Sequence, residues 1–125
     1  MSILRYTDDH EWARLDGNTV TVGITEFAQD QLGELVFVEL PTIGGAVTQG
    51  DEAAVIESVK AAGEVKSPVG GTIMEINESL VDTPEKVNED PMGKGWIYKV
   101  AIADPTEWES LMDEAAYTAL VANIS

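Results

Sequence analysis

The chain has 125 residues, of which 44% are hydrophobic, and this favours one domain with a single modest core. Seven Lys and Arg residues stand against 23 Asp and Glu residues, giving a formal net charge of −16, which disfavours nucleic acid and anionic membranes as partners because both bind clustered basic side chains. The absence of cysteine excludes disulfides, cysteine zinc sites and a cysteine nucleophile.

The first part of the chain is predicted to form mainly strands. Residues 11–15 and 19–24 should pair as a hairpin, because Asp16-Gly17-Asn18 between them is a turn signal. Thr25 can cap a short helix that runs to about Leu32 and ends at Gly33. Further strands are predicted at residues 35–40, 46–48, 53–58, 63–67 and 72–76.

The second part begins with a polar segment, residues 77–95, which should be a loop with one short helical turn starting at Thr83-Pro84. A strand is predicted at residues 96–102. The periodicity then changes to that of helices, the first of them starting at the capping residue Asp104. The apolar residues expected to share a helical face are Trp108, Leu111 and Met112 in the first helix, and Tyr117, Leu120, Val121 and Ile124 in the second.

These elements predict a mostly β protein, a β-sandwich or flattened barrel followed by short C-terminal helices. The whole chain, 1–125, should be a single domain, with the core sheets at about 10–102 and the helices at about 105–124. The N-terminal residues lack the pattern of a secretory signal. The expectation is a cytoplasmic protein, or a protein of the mitochondrial matrix if a transit peptide was removed.

Catalysis by the chain itself is not expected. His10 is the only histidine, and with Glu11 it forms a pair capable of acid–base work, but no Gly-x-Ser-x-Gly elbow supplies a nucleophile. No phosphate-binding glycine loop and no convincing set of metal ligands is present. His10 and its acidic neighbours are expected to lie at the entrance of the first strand.

Lys60 is the most informative residue. It lies between two predicted strands, so it should occupy the tip of a hairpin, and its neighbours Val59 and Ala61 carry no charge. Most exposed lysines are only solvated surface residues. Lys66, inside the second strand, is expected to face sideways and so serves as an internal comparison.

Several fragments in a fixed order then make the chain similar to a known family, and they extend over almost its whole length. The chain resembles the glycine cleavage system H protein, a lipoyl carrier. The fragments are Tyr6-Thr7, His10-Glu11-Trp12, Val22-Gly23-Ile24-Thr25, Ala28-Gln29, Leu32-Gly33, Val36 to Pro41, Gly50-Asp51, Glu57 to Ala61, Ser67-Pro68-Val69, Val87-Asn88, Asp90-Pro91 and Gly95-Trp96.

The resemblance implies a lipoyl-domain-like hybrid barrel-sandwich of two antiparallel sheets, with (R)-lipoate attached covalently to Lys60 as a swinging arm. It implies that the residues around Lys60 take part in recognition of the lysine hairpin: Glu57, Ser58, Val59 and Ala61. It places Glu11 beside a cleft that receives the aminomethyl-loaded arm. Many relatives carry His where this chain has Gln31, so that contact of the cleft is expected to be altered.

The resemblance also implies partners in one-carbon metabolism and glycine catabolism. A pyridoxal-phosphate-dependent glycine decarboxylase (P protein) loads the arm, an aminomethyltransferase (T protein) passes the carbon to tetrahydrofolate, and dihydrolipoamide dehydrogenase (L protein) reoxidises the arm. A lipoate-attaching enzyme must act first. The chain would be a monomeric, non-catalytic carrier subunit, and the alternative is a lipoyl donor or relay protein without a role in glycine breakdown.

Overall fold

The computed structural model describes residues 3–124, so Met1, Ser2 and Ser125, which belong to the predicted domain 1–125, lie outside the described residues. Residues 3–124 form nine strands and five helices. The strands are β1 Ile3–Tyr6, β2 Glu11–Asp16, β3 Thr19–Ile24, β4 Leu35–Glu39, β5 Ala46–Val47, β6 Glu52–Ser58, β7 Ala62–Lys66, β8 Gly71–Ile76 and β9 Tyr98–Ile102. The helices are α1 Glu26–Leu32, α2 Ser79–Asp82, α3 Lys86–Glu89, α4 Pro105–Glu109 and α5 Glu114–Ile124.

Two antiparallel sheets hold the described residues together. The larger sheet has six strands in the order β1-β2-β3-β9-β8-β5, and the smaller has three in the order β4-β6-β7. The predicted fold class, mostly β with two antiparallel sheets and short helices, is therefore confirmed. The smaller sheet contains the β6–β7 hairpin that carries Lys60.

The main core lies between the two sheets and takes side chains from both. Val20, Val22 and Val100 from the larger sheet and Val38 and Ile56 from the smaller are buried in one cluster. Their alternate positions along each strand face the core, which is the pattern expected of sheets with one solvated face. This packing fixes the registers of β6 and β7, and hence the position of their hairpin.

Helix α1 forms where the sequence predicts it. The Thr25 hydroxyl accepts a hydrogen bond from the Ala28 N–H (3.3 Å) and caps the helix, and Gly33, with φ at 82°, ends it. Ala28 and Leu32 pack against the main core. The packing of helix α1 thus places Gly33 and Glu34, which follow it, beside the lysine hairpin.

Strand β1 was not predicted, because it has only four residues and part of its support comes from Met112, far along the chain. β1 pairs with β2, and the exposed backbone edge of β1 forms a bridge from Tyr6 to Met112. The ring of Tyr6 stacks on that of Tyr117, with centroids 4.5 Å apart. The core sheets therefore begin at Ile3 instead of about residue 10.

Three helical expectations need correction. Helix α4 ends at Glu109, so Leu111 and Met112 do not share its face with Trp108; Met112 instead bonds with β1. Residues 77–95 contain two helical turns, α2 and α3, where one was predicted. Ile124 is exposed because α5 has only its Tyr117 side packed on the sheet edge. Among residues 3–124, no helix has both the length and the apolar composition needed to span a membrane.

Gly23 lies under a fully buried indole, so we expect Gly23→Ala to destabilise the fold. A Cβ at Gly23 would come within 2.7 Å of the Trp12 ring, and overpacking of this kind costs about 1–3 kcal/mol. Gly63→Ala is the matched control, since its Cβ would make only ordinary contacts at 3.9 Å and 4.0 Å. Urea denaturation of both variants checks this, and equal free energies of unfolding would contradict it.

Candidate functional site

Lys60 occupies the tip of the β6–β7 hairpin, as predicted. Val59 and Lys60 are the two residues between the closing pair, Ser58 and Ala61. The Ser58 N–H donates to the Ala61 carbonyl oxygen at 2.7 Å, which closes the turn. Lys60 is therefore held at the end of a tight two-residue connection, with its side chain exposed.

The Ser58 side chain stabilises this turn from inside. Its Oγ accepts hydrogen bonds from the N–H groups of Lys60 (3.3 Å) and Ala61 (3.0 Å), and it donates to the Ala61 carbonyl oxygen (3.1 Å). Short hydroxyl side chains at turns commonly bond to the backbone in this way. A hydroxyl at position 58 thus orders the backbone that presents the lysine.

A second segment supports the hairpin from the side. The Val59 N–H donates to the Glu34 carbonyl oxygen at 3.1 Å. A Cβ added to Gly33 would lie 3.2 Å from Cε of Lys60, so the aliphatic stem of the lysine lies close against the bare backbone of this glycine. Gly33 therefore serves both as the end of α1 and as the surface against which Lys60 rests.

Asn88, from α3, fixes the segment that supports the tip. Its Oδ1 accepts from the Leu35 N–H (2.8 Å), and its Nδ2 donates to the Gly33 carbonyl oxygen (2.7 Å) and to Oε1 of Gln29 (3.0 Å). All three bonds join residues far apart in the chain. The sequence analysis named Asn88 only as part of a family fragment, because nothing in the sequence pairs it with residues 33–35.

The two lysines of the hairpin differ in their surroundings. Lys66 forms a salt bridge with Asp9 (3.8 Å), and its backbone is tied into β7. Within residues 3–124, Lys60 forms no salt bridge. Lys60 is thus an exposed amine without a partner, whereas Lys66 lies along the strand as predicted.

Glu11 is a buried carboxyl group in β2, and it lies beside the end of β7, the strand that follows Lys60. Its Oε1 accepts from the Thr7 hydroxyl at 2.7 Å and its Oε2 from the Lys66 N–H at 3.2 Å. Burial raises the pKa of Glu11 from 4.5 to about 7. The two hydrogen bonds lower this pKa and only partly offset the burial, while the nearby charge of Asp9 raises it further.

A surface cleft of about 340 Å³ opens beside this carboxyl group. Glu11 and Thr7 lie on one side of the cleft, and Lys66 and Ser67 lie on another. Lys60 is not among its lining residues, and Lys66 follows Lys60 by six positions in the chain, at most about 20 Å of extended chain. The structure therefore places Lys60 at the tip of the β6–β7 hairpin and the Glu11 carboxyl group of β2 beside the other end of that hairpin, so the two groups are not in contact.

Gln31 is not among the residues that line this cleft, and its expected contact with the cargo stays a prediction. It is exposed in the last turn of α1, because Ala28 and Leu32 take the side of the helix that faces the core. A second cleft, also about 340 Å³, lies between α1 and α3 and includes Gly33 and Asn88. Gln31 does not line that cleft either.

His10 and Glu11 do not form an acid–base pair. Nδ1 of His10 lies 2.9 Å from the Tyr117 hydroxyl, which also bonds Oγ1 of Thr25 at 2.6 Å. The ring of His10 packs against Phe27, while the Glu11 carboxylate points towards Thr7 and the Lys66 backbone. His10 lies just before β2, as expected, and it connects α5 to the start of α1.

Comparisons with known proteins agree with this geometry. The family described as "Glycine cleavage H-protein" matches residues 4–124. A glycine cleavage system H protein from Parvibaculum lavamentivorans is 55% identical over 124 residues, covering 99% of each chain. One from Beijerinckia indica is 58% identical over 117 residues, covering 94% of each chain.

A solved structure has the same fold. The crystal structure of a glycine cleavage system H protein from Mycobacterium marinum is 35% identical, with a TM-score of 0.84. It covers 95% of this chain, and this chain covers 96% of it. The similarity thus includes both sheets and the lysine hairpin.

Substitution of Glu11 is expected to change how stability depends on pH. Below pH 4.5 Glu11 is protonated in both the folded and the unfolded state. Between pH 4.5 and about 7 only the unfolded state has lost this proton, so the free energy of unfolding falls as pH rises. Above pH 7 the loss stays constant, at no more than about 3 kcal/mol. Glu11→Gln should remove this contribution.

Urea denaturation at pH 4.5, 5, 6, 7 and 8 measures the effect. The stability of Glu11→Gln relative to the unmodified chain should rise across this range and then level off. Glu52→Gln, at an exposed position in β6, is the control and should show no such rise. A constant difference between Glu11→Gln and the unmodified chain would contradict the prediction.

Loss of the Asn88 amide is expected to loosen the lysine hairpin locally. Asn88→Ala leaves the Leu35 N–H without its acceptor, which costs about 1–3 kcal/mol, and frees the backbone that binds Val59. The change in global stability predicts a certain increase in the hydrogen-exchange rate of the Val59 amide. In Asn88→Ala the measured rate should exceed that predicted rate by about tenfold.

Asn77→Ala is the matched control for this experiment. The Asn77 side chain also makes three hydrogen bonds, to Lys94, Trp96 and Ser79, but away from the hairpin. It should lower global stability without the additional exchange at Val59. Equal acceleration at Val59 in both variants would show that Asn88 has no local role.

Proposed function

The chain belongs to the glycine cleavage H-protein family, and we propose that its cargo is carried on (R)-lipoate joined by an amide to Lys60. The protein acts as a lipoyl carrier in glycine cleavage. One observation supports the choice of Lys60 above all: it is an exposed lysine at the tip of a two-residue turn, without a salt bridge in the described part of the chain.

The residues around Lys60 fit a covalently attached acyl group. The hairpin backbone is held by Ser58 and by the Val59–Glu34 bond, while the Lys60 side chain is exposed and forms no salt bridge within residues 3–124. Exposed neighbours Val59 and Ala61 leave space for an enzyme that attaches lipoate. We assign Glu57, Ser58, Val59 and Ala61 to recognition of the hairpin.

When attached, lipoate supplies a dithiolane that takes up an aminomethyl group and releases it again. The chain supplies the fixed platform and no catalytic group of its own. Its partners are the glycine decarboxylase, the aminomethyltransferase, dihydrolipoamide dehydrogenase and the lipoate-attaching enzyme. A net charge of −16 suits brief encounters with several partners, since long-range electrostatic attraction mainly raises association rates.

Glu11 is assigned to the cargo. A buried carboxyl group with a raised pKa gains from a cation brought next to it, because the cation favours the ionised form. An ammonium that enters the cleft beside Glu11 can donate a charge-assisted hydrogen bond to the carboxylate. The hydrogen bond from the Lys66 N–H to Glu11, which joins β2 to the hairpin that carries Lys60, supports this role.

The alternative role, a lipoyl donor or relay protein without a part in glycine breakdown, is not favoured. The matched family and the relatives from Parvibaculum lavamentivorans and Beijerinckia indica carry the glycine cleavage name. No described contact of the hairpin distinguishes a relay protein from a carrier.

The attachment site is tested by mass spectrometry of the chain after incubation with lipoate, ATP and a lipoate–protein ligase. The intact chain should gain one lipoyl increment, and peptide mapping should place it on Lys60. Lys60→Arg, which keeps the charge, should abolish the increment, while Lys66→Arg is the control and should keep it. An increment that persists in Lys60→Arg would exclude Lys60 as the attachment site.

A further inference from the structure

The outer surface of the three-stranded sheet beside Lys60 carries an unusual pair of exposed apolar side chains. Val36 is 52% exposed and Phe37 is 44% exposed, and they are adjacent in β4. Successive residues of a regular strand face opposite sides of the sheet. Two neighbouring exposed apolar residues therefore require a local irregularity.

A β-bulge produces this arrangement. Leu35 pairs with Ser58, but Phe37 pairs with Glu57, so β4 uses two residues where β6 uses one. Because of the extra residue, Leu35 and Val38 are both buried although Val38 follows Leu35 by three positions. The same residue leaves Val36 and Phe37 both exposed. The additional residue thus keeps the core intact while adding an apolar side chain to the surface.

The register identifies the other side chains on this surface. Phe37 lies opposite Glu57, which lies opposite Ala62, and all three are exposed. The next outward-facing row places Glu39 and Glu64 on either side of β6. We call this surface the hairpin face; it consists of Val36, Phe37, Glu39, Glu57, Ala62 and Glu64.

We propose that the hairpin face is the docking surface for the enzyme that acylates Lys60, and that this enzyme presents an apolar centre with basic side chains around it. The proposal rests on the function assigned to Lys60 above. The charge of the face supports the choice of partner, since three exposed carboxylates lie on the same face as the apolar pair. Such a rim attracts a basic surface and steers its approach.

The position of the face distinguishes the acylating enzyme from the other partners. At Lys60, acylation forms a C–N bond between Nζ and the carboxyl carbon of the acyl donor. It breaks the bond from that carbon to its leaving group and releases two of the three ammonium protons to solvent, the third remaining on the amide nitrogen, with no electron transfer. The enzyme must therefore reach the Nζ atom itself and cover the adjacent sheet, whereas later partners act on the distal part of the arm.

Two simpler explanations account for less of this surface. A bulge in an edge strand hinders sheet-to-sheet association, and β4 is an edge of the smaller sheet, but this role requires no exposed phenylalanine. Isolated exposed apolar residues are normal, and Met74 is one of them. Val36 and Phe37 differ because they are adjacent and next to the strand that leads to Lys60.

The test measures lipoylation of the unmodified chain, Phe37→Ser, Val36→Ser and Met74→Ser with lipoate, ATP and a purified lipoate–protein ligase, followed by intact mass. The KM for the carrier should rise about tenfold in Phe37→Ser, with kcat within about twofold, because aromatic side chains contribute most to interfaces. Met74, at 55% exposure on the larger sheet, is the matched control, and its substitution should leave KM unchanged. Thermal unfolding confirms that the variants are folded.

Two further measurements concern charge and partner. The KM of the unmodified chain should rise with ionic strength, and Glu57→Gln should weaken this dependence. Phe37→Ser that has been lipoylated to completion at high ligase concentration should then react with the glycine decarboxylase at the rate of the lipoylated unmodified chain.

The outcomes separate this proposal from the proposed function. An unmodified chain that gains no lipoyl group on Lys60 would overturn the function itself. If the unmodified chain is lipoylated normally, three results would overturn the docking surface. The KM of Phe37→Ser could equal that of the unmodified chain, the KM of Met74→Ser could rise as much as that of Phe37→Ser, or the KM of the unmodified chain could be independent of salt. If lipoylated Phe37→Ser reacts with the glycine decarboxylase as poorly as unlipoylated Phe37→Ser reacts with the ligase, the assignment of the face to the acylating enzyme would be overturned.

Discussion

The position of the lysine hairpin depends on the side-chain amide of Asn88. Through Gly33 and Leu35 it holds the backbone on both sides of Glu34, and the Glu34 carbonyl then binds the Val59 N–H at the tip. An amide suits this position because it offers an acceptor and donors at once. Helix α3, which is only one turn long, thereby controls the presentation of Lys60.

This arrangement combines a fixed backbone with an exposed side chain. Ser58 bonds three times within the turn, and the strands below it pack in the main core, so the Cα of Lys60 has a defined position. The stem of Lys60 lies close to the bare backbone of Gly33, and its ammonium has no salt bridge in the described chain. A carrier benefits from both properties, because partners find the attachment point in one place while the arm remains free.

Local patterns in the sequence were sufficient for the elements whose signals are local. Thr25 and Gly33 mark the two ends of α1, and the hairpin around Lys60 follows from two extended runs with a short connection. Strand β1 was missed because its stability comes from contacts with β2 and Met112, which no local pattern reveals. Likewise, the partners of Glu11 belong to separate segments, so its burial and raised pKa emerge only from the folded chain.

The bulge in β4 also limits how the length of this segment can vary. Leu35 must face the core and keep its bond to Asn88, while Val38 must face the core three residues later. Removing or adding one residue between them would turn one of these side chains to the opposite face of the sheet, since faces alternate with a period of two. The segment from Leu35 to Val38 therefore has a fixed residue count, and any insertion or deletion that the fold tolerates must fall outside it.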